Sequence, residues 1–328
     1  MIITDNLGLL LTKTLFEWLK DKTMLIYLAI ASIVTIFVGL VSIVSVIDAF
    51  NQLAKIMPEL LVSKTVPPEL MFKVIINLFP ALIPSMVMSI VAGIIFFVLN
   101  YFIIQRGLEL NKQKSVPFSI SRLIMVFFLE IITFFVAVLS IYRLKWLAIG
   151  LCGFLFVIIG ALLSQSFFGG FFAFIGILMM IAYFIIVCIN YIRLSLGAVA
   201  YIEKEREIME SLKVSWDLTK NNVLGIIIIS LAVSLIVGFI SYLVSTPSSL
   251  LLQLAIPELI NIKDTISFGI LFEGMAGVFS NPLYIILLIP VWIISAYQII
   301  VMSYLLPSIY ALLKKEGKTT EKQETYHF

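Results

Sequence analysis

Charged residues are scarce in this chain, and their scarcity excludes most classes of protein. Lys, Arg, Asp and Glu make up only 12% of the 328 residues, whereas 62% of the residues are hydrophobic. Soluble domains carry about 25% charged residues and about 45–50% apolar ones. A chain with so little charge cannot cover a water-facing surface, and it is too apolar to be disordered. The composition therefore predicts an integral membrane protein.

Cysteine and histidine are almost missing. Cys152 and Cys188 both lie in long apolar runs, which excludes a disulfide-stabilised secreted domain. The single histidine is His327, and Walker, G-x-S-x-G and H-E-x-x-H motifs are lacking. No nucleophile–base pair or set of metal ligands can be assembled from these residues. We therefore expect no enzymatic activity and no cofactor or metal.

The basic residues do not form one patch, although the net charge is +3. They flank the apolar runs, which is typical of membrane proteins and not of nucleic-acid-binding proteins. The expected partners are therefore membrane lipids and another membrane or cytoplasmic protein, and no nucleic acid.

Long apolar runs make up most of what remains. A helix needs about 20 apolar residues to cross the hydrocarbon core of a bilayer. The runs predict an all-α polytopic helical membrane protein with about six transmembrane helices plus interfacial amphipathic helices. The spans are predicted near residues 24–47, 78–104, 123–142, 171–192, 223–244 and 283–306. A further stretch at 146–163 is either re-entrant or an extra span, and its glycines predict close packing.

The distribution of Lys and Arg favours six spans over seven. Cytoplasmic loops carry an excess of these residues. Six spans with an inner N-terminus place 16 of the 22 basic residues inside, whereas the best seven-span arrangement places 14 inside. We therefore predict one integral membrane domain over residues 1–328, in the cell membrane, with both termini cytoplasmic. Residues 313–328 form a charged cytoplasmic tail.

Two segments outside the spans have amphipathic patterns. Residues 6–20 predict a short helix at the inner membrane surface. Residues 193–222 read RLSLGAVAYIEKEREIMESLKVSWDLTKNN, in which Ile208, Leu212 and Trp216 share one helical face. This pattern predicts a cytoplasmic helix lying on the membrane, which either docks a partner or lipid headgroups or merely anchors the next span. The candidate docking surface consists of Leu212, Lys213, Ser215, Trp216 and Lys220.

The phrase ESLKVSWDLTKNN at residues 210–222 follows an arginine that leaves the preceding span and an acidic–basic stretch. It resembles the membrane domain found with some bacterial glycerophosphoryl diester phosphodiesterases, and the stand-alone uncharacterised bacterial and archaeal relatives of that domain. Asn221 stands where that family often has glycine. The resemblance implies a six-span fold with cytoplasmic termini, and it implies no known activity.

Glu130 is the only ionisable side chain deep inside a strong span. Charges at this depth cost roughly 2.5–3.5 kcal/mol on insertion scales for Asp, Lys or Arg, so Glu130 is a functional candidate. Together with Asn190 and Gln298 it forms a candidate intramembrane polar site. Such a site fits a transporter or lipid-handling protein, whereas a neutral, hydrogen-bonded Glu130 would be structural. We favour a non-enzymatic protein with a membrane-organising or partner-docking role.

Cysteine labelling at position 207 tests the predicted topology. We expect Glu207→Cys, in a chain with Cys152 and Cys188 replaced by serine, to react with a membrane-impermeant maleimide only after the cells are permeabilised. The reason is the excess of basic residues on the predicted inner side. Lys64→Cys, in a predicted outer loop, is the control and should react in intact cells. Labelling of position 207 from outside would contradict the topology.

Overall fold

The regular structure of this protein is helical. The computed structural model describes residues 2–62, 68–139, 145–163, 167–255 and 267–325. All regular elements in these ranges are helices, including a short 3₁₀ turn at Glu17–Lys20. In chain order the α-helices are α1 (Ile2–Asp5), α2 (Leu7–Phe16), α3 (Lys22–Val62), α4 (Pro68–Leu110), α5 (Ile120–Leu139), α6 (Lys145–Leu162), α7 (Phe167–Leu194), α8 (Gly197–Lys204), α9 (Ile208–Thr219), α10 (Val223–Ala255), α11 (Ser267–Phe279) and α12 (Pro282–Thr325).

Seven of the described helical stretches are long and apolar enough to cross a membrane. They lie in α3, α4, α5, α6, α7, α10 and α12. Helices are the expected result because lipid offers no hydrogen-bonding partner, so each backbone N–H and C=O must be satisfied within its own segment. The prediction of an all-α polytopic helical protein is confirmed. Seven such helices are one more than the favoured number of spans.

The described helices divide into two compact units. The first unit comprises Met1–Trp18, Tyr101–Ala232 and Met302–Phe328. The second unit comprises Leu19–Asn100 and Val233–Val301. The amphipathic segments at 6–20 and 193–222, apart from residues 19 and 20, therefore belong to the first unit, which also contains α5, α6 and α7.

Aromatic rings make several of the contacts between the helices of the second unit. The indole of Trp292 on α12 lies directly against Gly39 on α3, where a Cβ would be 2.2 Å from the ring. Thr35 donates a hydrogen bond of 3.1 Å to the carbonyl of Trp292. Phe50 on α3 also stacks on Phe272 of α11 with ring centroids 5.8 Å apart. Gly39 is therefore needed for α3 to approach α12 closely.

In the first unit, α6 and α7 form a closely packed antiparallel hairpin. Gly150, near the start of α6, faces the ring of Tyr183, whereas Gly160, near its end, faces the backbone of Ala173. A Cβ on Gly160 would lie 2.5 Å from the backbone nitrogen of Ala173. Small residues of this kind let membrane helices approach until their backbones touch. The close packing predicted from the glycines of 146–163 is present.

Helices α5 and α6 run in the same direction alongside α7. Tyr183 on α7 donates a hydrogen bond to the carbonyl of Val138, near the end of α5. Leu129, in the middle of α5, lies beside Gly197, just beyond the end of α7. Helix α5 is therefore antiparallel to α7, as α6 is. The stretch at 146–163 lies in the helix Lys145–Leu162, which continues the direction of α5.

The α6–α7 contact can be tested by adding one methyl group. We expect Gly160→Ala to lower the free energy of unfolding in detergent by about 1–3 kcal/mol, because the new Cβ overlaps the backbone of α7. Gly170→Ala on α7 is the matched control, since no atom lies within 4 Å of its Cβ position. Equal stability of the two variants would show that the backbones are not in contact.

Candidate functional site

The segment at 193–222 forms two helices where its pattern predicts one. Helix α8 ends at Lys204, and α9 begins at Ile208. Glu205 between them has a φ of 52°, in the left-handed region, and its N–H donates to the carbonyl of Tyr201 at 2.7 Å. Because this residue reverses the course of the chain, α9 packs back onto α8 instead of extending it.

Hydroxyl groups of α9 hold the last turn of α7. Ser215 donates a hydrogen bond of 2.7 Å to the carbonyl of Arg193, and Thr219 donates one of 3.0 Å to the same oxygen. The N–H of Leu196 in turn donates to the Ser215 hydroxyl at 3.1 Å. The last carbonyls of a helix have no partner within the helix. At Arg193 the side chains of α9 supply that partner, and both hydroxyl-bearing residues are completely buried.

The side chain of Arg193 lies on the indole of Trp216. Its guanidinium carbon is 3.5 Å from the ring centroid, and Arg193 is only 6% exposed. A desolvated contact of this type contributes about 2 kcal/mol or more. Arg193 also donates a hydrogen bond of 3.4 Å to the carbonyl of Trp216. The indole is thus used inside the protein to bind the arginine that ends α7.

These contacts correct the predicted docking surface. Leu212 is completely buried against Gly197, and Ser215 is completely buried under α7. Neither side chain can meet a partner, so their assignment to a docking surface is wrong. Of the apolar stripe of α9, Leu212 packs wholly on the protein, whereas Ile208 and Trp216 are half-buried. Of the predicted set, Lys213 and Lys220 are exposed, and Trp216 is half-buried.

A buried carboxylate joins α8 to α12. The side chain of Glu203 is 2% exposed and lies within reach of the Lys314 ammonium and, at 3.7 Å, of the Arg206 guanidinium. The Tyr310 hydroxyl donates to the same carboxylate at 2.8 Å. The sequence pattern does not indicate this cluster, because Lys314 belongs to a basic run that is typical of a solvated tail. The spacing of Tyr310 and Lys314, one helical turn apart, was the only available signal.

A second ion pair joins the start of α5 to the end of α8. The Arg122 guanidinium lies 2.6 Å from the carboxylate of Glu205. The hydrogen bond from Arg122 lowers the pKa of Glu205. The stabilisation from this pair is therefore present at neutral pH, and it is lost as the pH falls through that lowered pKa. Beside it, the N–H of Val116 donates to the carbonyl of Ile202 at 2.9 Å.

We call the set of side chains that makes these contacts the polar junction. It consists of Arg122, Arg193, Glu203, Glu205, Ser215, Trp216, Thr219, Tyr310 and Lys314. Its members come from α5, α7, α8, α9 and α12 and from the turn after α8, and all belong to the first unit. The junction gathers charged and hydroxyl side chains, and they contact one another, neighbouring backbone groups and Arg206. Its chemistry is that of a rigid connection between helices.

The three residues of the predicted intramembrane polar site occupy different environments. Glu130 is exposed at the surface of α5, whereas Asn190 on α7 is 5% exposed. Gln298 is exposed and belongs to the second unit. Glu130 therefore does not point into the packed interior where Asn190 lies.

Groups suited to catalysis or metal binding are also few. Within the described ranges, no group of three or more His, Cys, Asp or Glu side chains could hold a metal ion. Cys152 is exposed and Cys188 is half-buried, and both are free thiols. His327 lies outside the described residues.

Comparison with known proteins gives no relative. No family model, no curated protein and no solved structure matches the chain. The resemblance of residues 193–222 to the phosphodiesterase-associated membrane domain therefore stays a prediction.

Glu203 and Glu205 form a matched pair for testing the junction. We expect Glu203→Ala to lower the free energy of unfolding by about 1.5–3 kcal/mol, because it removes the buried carboxylate that Tyr310 and the half-buried Lys314 contact. Glu205→Ala removes an exposed carboxylate and should have a much smaller effect. Thermal unfolding in detergent measures both. If the two variants lowered the free energy of unfolding by similar amounts, Glu203 would not stabilise the junction more than Glu205 does.

Proposed function

We propose that this chain is a non-enzymatic multi-pass membrane protein that docks another protein through the exposed face of α9. The observation that carries the proposal is the division of α9 into two stripes. Ser211, Ser215 and Thr219 are buried on one side, whereas the opposite side exposes charged residues at helical spacing. The exposed stripe, which we call the docking stripe, consists of Glu210, Lys213, Asp217 and Lys220.

The mixed charge of the docking stripe favours a protein partner over a lipid surface. An anionic bilayer attracts Lys213 and Lys220 but repels Asp217 and Glu210. A protein can place opposite charges against each position, which gives specificity and raises the association rate. The polar junction supports this role because it holds α9 in one position, so little ordering is needed on binding.

We also propose that the chain crosses the membrane six times. In this proposal α5 and α6 count as one passage, because both run antiparallel to α7. If α3, α4, α7, α10 and α12 each cross once, the total is six and the termini lie on the same side. The excess of basic residues then supports placing both termini and the docking stripe in the cytoplasm, with the protein in the cell membrane.

The alternative function, transport through a polar site around Glu130, has less support. A coupling carboxylate would be expected to face the bundle interior or a water-filled cavity. Glu130 instead lies exposed at the surface of α5. The family resemblance implies a six-span fold with cytoplasmic termini and favours neither function.

Photo-cross-linking tests the docking stripe. A photoreactive amino acid in place of Met209, which is 50% exposed beside the stripe, should give one discrete protein adduct in native membranes. The double variant Lys213→Glu, Lys220→Glu should abolish the adduct, because like charges then face the partner. Lys114→Glu, exposed outside the stripe, is the control and should retain it. An adduct that survives the double variant, or lipid adducts alone, would contradict the proposal.

A further inference from the structure

A cavity of about 350 Å³ lies between α2, the turn after α4 and the last part of α12. This volume falls within the range of about 300–1,000 Å³ that is usual for small-molecule sites. All of its lining residues belong to the first unit. Lys13, Lys112 and Lys315 line it, and the side chains of Asn111 and Gln113 stand beside them. The cavity is therefore distinct from the polar junction and from the docking stripe.

The lining is basic on one part and apolar on another. Its three lysines come from three separate segments of the chain, and no carboxylate lines the cavity among the described residues. Leu9 and Leu312 provide apolar wall, and Leu9 is 65% exposed on α2. The nearby carboxylate of Glu109 is held by Arg106 at 2.7 Å. The cavity thus combines a place for an anion with a place for a hydrocarbon chain.

Lys112 is held in a backbone conformation that favours glycine. Its φ is 57°, and it follows the end of α4 at the position where helices commonly end in a left-handed glycine. The N–H of Lys112 donates to the carbonyl of Glu109 at 2.9 Å, and the N–H of Gln113 donates to that of Leu108 at 2.8 Å. This pair of hydrogen bonds defines a Schellman motif. A lysine here costs conformational energy that glycine would not.

The same motif satisfies the last carbonyls of α4 beside the cavity. The carbonyl of Gly107 accepts hydrogen bonds from the backbone N–H and from the side-chain amide of Asn111, at 3.1 Å and 2.7 Å. The carbonyls of Leu108 and Glu109 accept the two bonds of the Schellman motif. The last carbonyls at the negative end of α4 are thereby covered by donors from the chain itself.

We propose that this cavity binds the phosphate ester of an anionic phospholipid. Lys13, Lys112 and Lys315 surround the phosphate, and Leu9 and Leu312 contact the start of the acyl chains. Basic pockets beside the cytoplasmic ends of membrane helices are suited to such headgroups. The strained position of Lys112 fits this role, because its side chain supplies charge that glycine at the same position would lack. The site does not depend on the docking function proposed above.

Native mass spectrometry of the full chain in detergent tests the site. We expect the protein to retain phosphatidylglycerol in preference to phosphatidylcholine. Each of Lys13→Ala, Lys112→Gly and Lys315→Ala should lower the affinity for phosphatidylglycerol about fivefold. Lys114→Ala is the matched control, because Lys114 is exposed two residues from Lys112 and does not line the cavity.

Lys112→Gly separates binding from folding. Glycine suits the left-handed position, so this variant should unfold at the same temperature as the parent or higher while it loses affinity for the lipid. Full affinity in Lys112→Gly, or equal retention of phosphatidylcholine by the parent, would overturn the proposal. Displacement of the lipid by glycerol 3-phosphate or inorganic phosphate at equal concentration would overturn the assignment to a lipid and identify a soluble phosphate ester instead.

Discussion

The arrangement of the first unit depends on the carbonyl oxygen of Arg193. This oxygen ends α7, and hydrogen bonds from Ser215 and Thr219 satisfy it. In a membrane protein, a buried carbonyl without a partner costs several kcal/mol, so the last turn of α7 requires donors of this kind. The donors lie one helical turn apart on α9, which sets the position of that helix. The stacking of Arg193 on Trp216 then fixes its rotation.

Once α9 is placed, the other contacts of the polar junction follow from it. Helix α8 lies between α7 and α9 in the chain. Its position places Glu203 against α12, and it places Glu205, just after the end of α8, against α5. A buried carboxylate is tolerated only when counter-charges and hydrogen bonds replace water, and Lys314, Arg206 and Tyr310 provide both. The consequence is a rigid connection among helices that are far apart in the chain. Rigidity at this place is what a docking surface needs, because a preformed surface loses less entropy on binding.

The two proposed binding regions use charge in different ways. The docking stripe alternates acidic and basic residues on one helix, which suits a partner with its own charge pattern. The cavity beside α2 is lined by three lysines from three segments and by no acidic residue among the described ones. This excess of positive charge suits a compact anion such as a phosphate ester. Both follow from the basic groups that flank the apolar runs. Their separation into two surfaces is a result of how the helix ends pack.

The sequence by itself determined the class of protein and the helical runs. A chain with so few charged residues requires a membrane environment. Lipid offers no hydrogen-bonding partners, so a spanning segment must pair its backbone N–H and C=O groups within itself. The long apolar runs therefore had to become helices. The glycines of 146–163 likewise predicted a close helix contact, which α6 and α7 make. The candidate site was predicted only in part. Lys213 and Lys220 are exposed, whereas Leu212 and Ser215 are buried, and Glu130 is exposed whereas Asn190 is buried.

Only the tertiary structure decided which apolar faces meet protein. Periodicity shows that Leu212 avoids water, but lipid and a protein interior are equally apolar, so the pattern cannot distinguish them. Nor does a local pattern indicate that α5 and α6 run in the same direction, since that depends on contacts with α7. The partners Glu203 and Lys314 are 111 residues apart in the chain, and only the packing of α8 on α12 shows that they meet. Ion pairs between residues so far apart in the chain depend on how the helices pack, and a local sequence pattern does not specify that packing.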